Sequence, residues 1–124
     1  MLNNAEAVAN IAVKNLEAAK KFYQDTLGLT QVSAEGEELI VFKSGSSTIN
    51  VYRSQYAGTN KATAVTWTVG DTGDVVRALK AKGVTFEHYD MPDMKLEGDV
   101  HVFGDMRVAW FKDPDGNILN IVNR

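Results

Sequence analysis

The 124-residue chain contains no cysteine, which excludes disulfide bonds, thiolate nucleophiles and thiolate metal ligands. It also lacks any run of about 18 apolar residues, the length that a membrane-spanning helix requires. The first ten residues have neither the cationic nor the apolar region of a secretory signal. We therefore expect a cytoplasmic protein with no membrane partner.

Positive charge is not concentrated anywhere along the chain. The 13 Lys and Arg residues are interspersed with 16 Asp and Glu residues, which gives a net charge of −3. Binding to nucleic acid requires a basic stripe that neutralises successive phosphates, so we expect no nucleic-acid partner.

Gly70 and Gly73 lack the further glycine and the lysine of a phosphate-binding loop, and no serine lies in a nucleophile-elbow sequence.

The first half of the chain has the pattern of a strand, a helix and three further strands. Residues 7–13 alternate in polarity, as a strand does. Asn15 is a suitable N-cap for a helix over residues 16–27, and Gly28 is placed to end it. Strands are then predicted near residues 29–34, 38–43 and 47–53, separated by short turns that contain glycine.

The same pattern begins again after a polar connection at residues 57–60. Residues 64–69 alternate, Asp71 is a suitable N-cap for a second helix, and Gly83 ends that helix. Strands are predicted near residues 84–89, 101–103, 107–112 and 118–122. The segment 90–104 lengthens this half, and we interpret it as an inserted loop that serves as a lid or a dimer contact.

These repeats predict an α+β fold built from two tandem βαβββ modules. The modules span about 7–53 and 63–123 and belong to a single domain over residues 5–124. Neither module can bury a sheet face alone. We therefore expect a cupped, partly open barrel of mixed sheet, with the helices outside.

Three motifs resemble those of one known superfamily. They are residues 15–23 followed by Leu27-Gly28-Leu29, the repeat itself, and the turn Asp113-Pro114-Asp115-Gly116-Asn117 before the last strand. Together they resemble the vicinal oxygen chelate superfamily, which includes glyoxalase I, bleomycin-resistance and fosfomycin-resistance proteins and extradiol dioxygenases. We expect a structural role for the turn residues, because Asp and Gly at such positions serve the backbone.

The resemblance implies where a metal would bind. Metal-dependent relatives supply one His or Glu from each of four strands, and the matching positions here are Val8, Asn50, Ala64 and Asn120. Alkyl groups and neutral amides do not retain a divalent ion against water. We therefore predict a metal-free protein without a cofactor, which lacks the Lewis-acid chemistry of those relatives.

Strand alternation also predicts which side chains line the cup. They are small apolar or neutral polar groups, as in pockets for uncharged organic molecules. The amides among them either contact a ligand or satisfy one another or ordered water. The predicted lining consists of Val8, Asn10, Ala12, Thr48, Asn50, Tyr52, Ala64, Thr66, Thr68, Ile118 and Asn120.

Other residues are weaker candidates. His88 and His101, with Glu87, Asp90, Glu97 or Asp99 near them in sequence, are considered for a relocated acid/base or metal site, although solvated side chains are the commoner outcome at a loop. The aromatic residues considered for stacking on a ligand are Tyr52, Tyr56, Phe103 and Trp110, of which Phe103 and Trp110 are more often core or interface residues. Arg53 and Arg107 either meet a ligand carboxylate or lie at the surface.

The leading hypothesis is a metal-free, homodimeric protein that binds a small hydrophobic or planar organic molecule, as the resistance-type binding proteins of the family do. One alternative is a glyoxalase-like or dioxygenase-like lyase, isomerase or oxidoreductase whose catalytic site has moved to His88, His101, Glu87 or Asp90. Another is a subunit that only scaffolds a partner, for which an exposed apolar patch would be evidence.

Overall fold

The computed structural model describes residues 1–123 and divides into two compact units, Met1–Ala57 and a second unit that begins at Gly58. The division falls within the polar connection at residues 57–60. Each unit contains one mixed sheet and one helical segment, so the predicted α+β class is confirmed. Among the described residues, no helix has the length and apolarity needed to cross a membrane.

The first unit contains a four-stranded sheet. Its strands are β1 (Ala9–Val13), β2 (Thr30–Glu35), β3 (Leu39–Ser44) and β4 (Ser47–Arg53), in the order β1-β4-β3-β2. Strand β1 is parallel to β4, and the other pairs are antiparallel. The parallel pair is joined through the helix and the β2–β3 hairpin, as the predicted βαβββ order requires.

The helical segment of the first unit changes geometry midway. Helix α1 (Leu16–Lys20) begins at Asn15, whose side chain accepts a hydrogen bond from the Ala18 N–H at 3.0 Å. From Lys21 to Thr26 the helix widens to π geometry, and the Leu27 N–H bonds to the Phe22 carbonyl. The sequence pattern predicts the cap but not the widening. Within the widened segment, Tyr23 is fully buried beside Phe42.

The two faces of the first sheet differ in burial. One face presents apolar side chains that are buried together with Ala19 and Tyr23 of the helical segment: Ile11, Val13, Ile40, Phe42, Ile49 and Val51. The other presents Asn10, Ala12, Thr48, Asn50 and Tyr52, which are exposed or partly exposed. We call it the helix-free face of the first sheet.

The second unit contains six strands and one helix. The strands are β5 (Thr63–Thr68), β6 (Phe86–Glu87), β7 (Lys95–Glu97), β8 (Val100–Phe103), β9 (Met106–Lys112) and β10 (Ile118–Val122). Their order is β5-β10-β9-β8-β7, and β6 also pairs with β9. Helix α2 (Thr72–Ala81) begins at Asp71, whose carboxylate accepts the Asp74 N–H at 3.0 Å. Both predicted N-caps are therefore confirmed.

Alternation along the second sheet again separates two faces. On one face the sheet residues Ala109, Phe111, Leu119 and Ile121 are buried, together with Val76 and Leu79 on the buried side of α2. The alternate positions of these strands point to the other face. They include Thr66, Thr68, Trp110 and Asn120, all at least partly exposed. We call it the helix-free face of the second sheet.

Two predicted elements of this unit differ in the structure. The strand predicted near residues 84–89 is reduced to β6, because only Phe86 and Glu87 pair with β9. The segment 90–104, predicted as an inserted loop, contains the hairpin of β7 and β8, which turns at Gly98 with a φ of 62°. A hairpin pairs backbone groups that an irregular loop would leave to water.

The turn before β10 is held by Asp113, which is buried. Its Oδ1 accepts the N–H groups of Asp115 and Asn117, both at 2.9 Å, and its Oδ2 accepts the Asn117 side-chain amide at 2.8 Å. Gly58 lies so close that a Cβ there would be 2.0 Å from the Asp115 carbonyl oxygen. These contacts give the turn the structural role expected from the sequence.

Candidate functional site

The helix-free face of the first sheet carries a pair of amides that satisfy each other. Asn10 and Asn50 are register partners on the parallel strands β1 and β4. The Asn50 Nδ2 donates to the Asn10 Oδ1 at 3.3 Å, and the Asn10 Nδ2 donates to the Val8 carbonyl at 3.3 Å. Tyr52 lies on the same face and is exposed. The sequence left two roles open for these amides, ligand contact or hydrogen bonding to each other. In the first sheet Asn10 and Asn50 are hydrogen-bonded to each other.

The corresponding pair in the second sheet is different. Asn120 on β10 is the register partner of Thr66 on the parallel strand β5, and of Trp110 on β9. The Asn120 Oδ1 is shielded from solvent and accepts no hydrogen bond from any residue in the described part of the chain. A buried amide oxygen without a donor costs about 1–3 kcal/mol. A second amide therefore does not satisfy the Asn120 oxygen, in contrast to the hydrogen-bonded pair of the first sheet.

The four positions matched to metal ligands do not fit a divalent ion. Val8 immediately precedes β1, and Ala64 is skipped in the register between β5 and β10. Neither alkyl side chain has a donor atom, and Asn50 already donates to Asn10. Within residues 1–123 no three His, Asp or Glu side chains come together as a metal would require. Zn²⁺, Mg²⁺ and Ca²⁺ sites need imidazole, thiolate or several oxygen ligands.

His101 lies where two strands meet the same edge of β9. Strand β6 pairs with β9 at Phe111 and Trp110, whereas β8 pairs with β9 at Val108, Arg107 and Met106. At the end of β6, the Tyr89 N–H donates to the His101 Nε2 at 2.9 Å. His101 thus takes the place of a strand partner, and its side chain is buried with 1% of its surface exposed.

This bond also fixes the tautomer of His101. A backbone N–H only donates, so Nε2 is the acceptor and the ring proton lies on Nδ1. The Nδ1–H is enclosed and has no acceptor among the described residues. Because no basic nitrogen of the ring remains free, the arrangement argues against the acid/base or metal-ligand role considered for His101.

The other acid/base candidates are dispersed. The His88 Nε2 lies 2.7 Å from the Asp99 Oδ1, and the Lys80 Nζ donates to the Asp99 Oδ2 at 2.6 Å. Hydrogen bonds from Lys80 and then His88 lower the pKa of Asp99 below its ordinary value of 3.8. Glu87 instead pairs with Lys112 at 3.5 Å, and Asp90 is exposed.

These contacts separate the candidate residues by role. His88 joins a half-exposed ion cluster, whereas His101 supports a strand junction. Asp99 is a candidate from the sequence but Lys80 is not, since 19 residues separate the two and no local pattern links them.

The aromatic candidates occupy different environments. Trp110 is half-buried on the helix-free face, its Nε1 donates to the Thr63 Oγ1 at 3.1 Å, and its ring meets His101 edge-on at 4.9 Å between centroids. Tyr89 also meets the Trp110 ring edge-on. Phe103 and Tyr56 are exposed, with 49% and 68% of their surfaces accessible. Trp110 is therefore the aromatic candidate beside Asn120.

The arginine candidates lie at the surface. The Arg53 guanidinium is 3.5 Å from the Glu38 carboxylate, with both side chains largely exposed. Arg107 is exposed, and its backbone N–H donates to the Asn123 side chain. Neither contact points to a ligand carboxylate.

A cavity of about 520 Å³ lies elsewhere in the first unit. Its lining includes Leu16 and Ile40, together with the charged side chains of Lys14, Lys20 and Arg53. Ile40 belongs to the helix-covered face, so this cavity is not the one predicted from strand alternation. Its charged residues are exposed, which is typical of a solvated groove. We place the candidate site on the helix-free face of the second sheet, where the Asn120 Oδ1 and the His101 Nδ1 are enclosed without described partners.

Comparison with known proteins identifies the class. The family model of the Glyoxalase/Bleomycin resistance protein/Dioxygenase superfamily matches residues 6–121. The chain therefore belongs to this superfamily, as its motifs predict. No curated protein sequence matches it.

Solved structures share the fold at low sequence identity. A lactoylglutathione lyase from Agrobacterium tumefaciens is 18% identical, with a TM-score of 0.74 over 96% of this chain and 92% of that one. A glyoxalase family protein from Enterococcus faecalis is 19% identical, with a TM-score of 0.74 over 98% and 99%. A bleomycin resistance determinant encoded on the transposon Tn5 is 16% identical, with a TM-score of 0.70 over 98% of each chain. At such identities the likeness establishes the fold alone.

Proposed function

We propose that this protein is a metal-free member of the superfamily that binds a small, planar or hydrophobic organic molecule on the helix-free face of its second sheet. The residue types support binding over metal-assisted catalysis. Val8, Asn50, Ala64 and Asn120 stand where metal-dependent relatives carry their ligands, and they cannot form a divalent-ion site. The superfamily includes resistance proteins that sequester their ligands, so this function is consistent with the fold.

The observation that carries the proposal is the unpartnered Asn120 Oδ1. It lies on a face whose neighbours Thr66 and Thr68 are exposed and where Trp110 presents an aromatic surface. Neutral hydrogen-bonding groups beside an aromatic ring are the usual lining of a site for a small organic molecule. Buried polar groups are normally satisfied, and a bound molecule would supply the missing partner.

A homodimer is part of the proposal. A 13.6 kDa chain buries a smaller share of its surface than a larger domain does, and association would cover more of it. Analytical ultracentrifugation at micromolar concentration should give the mass of two chains. A single-chain mass at every concentration would remove this part of the proposal and leave the binding function unchanged.

Thermal melts against a library of small aromatic and aliphatic compounds test the binding function. A ligand at 100 times its Kd stabilises the folded state by about 2.7 kcal/mol, which is a readily measured rise in Tm. The shift should persist in EDTA, since the proposed site holds no metal. A library without any stabilising compound contradicts the proposal, and a shift abolished by EDTA and restored by one divalent metal contradicts its metal-free part.

A further inference from the structure

Two enclosed polar atoms of opposite hydrogen-bonding character lie on one face of the second sheet. The Asn120 Oδ1 is an acceptor without a donor, and the His101 Nδ1–H is a donor without an acceptor, among the residues that the structure describes. His101 pairs in register with Val108, and Asn120 pairs with Trp110, two residues further along β9. Alternation therefore puts both side chains on the face that carries Trp110.

The strand order fixes the spacing of these two groups. Strands β10 and β8 flank β9, so Asn120 and His101 lie on either side of the strand that carries Trp110. Strand spacing and rise put their Cα atoms about 12 Å apart. The two side chains occupy part of this distance. The gap that remains between the Asn120 Oδ1 and the His101 Nδ1 is one that a single substituted aromatic ring can span.

The first sheet shows that an enclosed amide oxygen without a donor is not a general feature of the fold. There the corresponding residue, Asn50, donates through its Nδ2 to the Asn10 Oδ1, and no Asn50 atom is both enclosed and unpaired among the described residues. In the second sheet Thr66 replaces the partner amide, and the Asn120 oxygen is left without a donor. The corresponding amides of the two sheets therefore differ, and an enclosed amide oxygen without a described donor occurs on the second sheet.

We infer that the ligand is a planar aromatic molecule with a hydrogen-bond donor at one end and an acceptor at the other. Its donor bonds to the Asn120 Oδ1, its acceptor receives the His101 Nδ1–H, and its ring lies against Trp110. This inference rests on the proposed binding function and specifies the chemistry of the ligand. His101 thereby has two roles, since its Nε2 holds Tyr89 and its Nδ1–H recognises the ligand.

Binding includes a side-chain rearrangement. Both atoms are closed off from solvent in the structure, so entry of the ring requires the Asn120 amide to turn and the Trp110 indole to move away from Thr63. The fluorescence of Trp110, measured in a Trp67→Phe background, should change as the ligand binds.

Three related compounds test the inference by calorimetric titration. 4-Hydroxyacetophenone has a hydroxyl donor and a ketone acceptor at opposite ends of one ring, 4-methoxyacetophenone lacks the donor, and 4-ethylphenol lacks the ketone. Each missing hydrogen bond should weaken binding about tenfold or more, because the protein atom stays unpaired.

Variants assign each preference to one residue. Asn120→Leu should bind the hydroxyl and methoxy compounds equally while it still prefers the ketone. His101→Gln offers an amide oxygen to the Tyr89 N–H but lacks the Nδ1–H, so it should lose only the preference for the ketone. If His101→Gln does not fold, Thr66→Asn gives Asn120 an internal donor and should weaken 4-hydroxyacetophenone about tenfold. His88→Gln is the matched control and should keep both preferences.

The outcomes separate this inference from the proposed function. Unchanged preferences in Asn120→Leu, or no binding of the three compounds at millimolar concentration, would overturn the inference. If the compound library then yields a different ligand, the proposed function stands without it. If neither the probes nor the library produces binding, both are wrong.

Discussion

Asn50 donates a hydrogen bond to Asn10 across the first sheet, whereas Asn120 faces Thr66 across the second. The two pairs occupy corresponding positions on parallel strands of the repeated modules. The Asn50 Nδ2 has an acceptor within the protein, whereas the Asn120 Oδ1 is enclosed without a described donor. The repeat thus keeps its backbone pattern while the chemistry of one face changes.

The first prediction changes the partners of these amides. Thr66→Asn should raise the free energy of unfolding by about 1 kcal/mol through a hydrogen bond from the new Nδ2 to the Asn120 Oδ1, opposite in direction to the bond from Asn50 to Asn10. Asn10→Val removes the acceptor of the Asn50 Nδ2 and should lower it by less, since this bond is exposed to solvent. Urea unfolding of both variants and the native protein measures the differences. A loss of stability in Thr66→Asn would show that the Asn120 oxygen is already satisfied.

The second prediction concerns the support that His101 gives to Tyr89. His101→Leu leaves the Tyr89 N–H without an acceptor, so it should lower the free energy of unfolding by about 1–3 kcal/mol. His101→Gln should lose less, since its amide oxygen replaces Nε2. Amide hydrogen exchange at Tyr89 is the local measurement, and it should accelerate strongly only in the leucine variant. Equal exchange in both variants would contradict this role.

The third prediction is a pH dependence that arises from Asp99. Its pKa is lowered by Lys80 and His88 in the folded protein, so the folded state favours the carboxylate more than the unfolded state does. The resulting stability is present above the ordinary value of 3.8 and is lost as the pH falls through the lower folded pKa.

Asp99→Asn removes this dependence. At pH 7 the variant should be less stable by up to about 1 kcal/mol, as for partly exposed ion pairs, and the difference should shrink below pH 4. Thermal melts between pH 2.5 and 7 measure both effects. A variant that loses as much stability on acidification as the native protein would assign the dependence to other carboxylates.

The fourth prediction contrasts two glycines with positive φ. At Gly58 (φ 73°) an added Cβ would lie 2.0 Å from the Asp115 carbonyl oxygen, whereas at Gly36 (φ 56°) it would meet nothing within 4 Å. Gly36→Ala should cost about 1 kcal/mol from the left-handed backbone alone. Gly58→Ala should cost more than about 2 kcal/mol, because the clash with the turn adds to it. Equal losses in the two variants would mean that the turn moves freely.

Much of the fold could be predicted because its signals are local. Asn15 and Asp71 were identified as N-caps, and each bonds to the N–H three residues later. Alternation in β1, β4, β5 and β10 separated the helix-covered face from the helix-free face. A short polar side chain before a helix, or every second residue of a strand, has only one favourable direction.

Contacts between distant segments could not be predicted in this way. The Tyr89 bond to His101 depends on two strands that end at the same edge of β9. The Lys80 pair with Asp99 spans 19 residues, and the hairpin of β7 and β8 has only a three-residue strand on one side. Such contacts depend on where the chain brings segments together, which one sequence does not encode locally.

The sequence by itself determined the class of the protein and the residue types at the four ligand positions, because donor atoms are properties of side chains whatever their arrangement. Only the tertiary structure decided which polar groups are satisfied. Asn50 and Asn120 are the same amide at corresponding positions, yet Asn50 donates to Asn10 across its sheet, whereas the Asn120 oxygen is enclosed without a donor among the described residues.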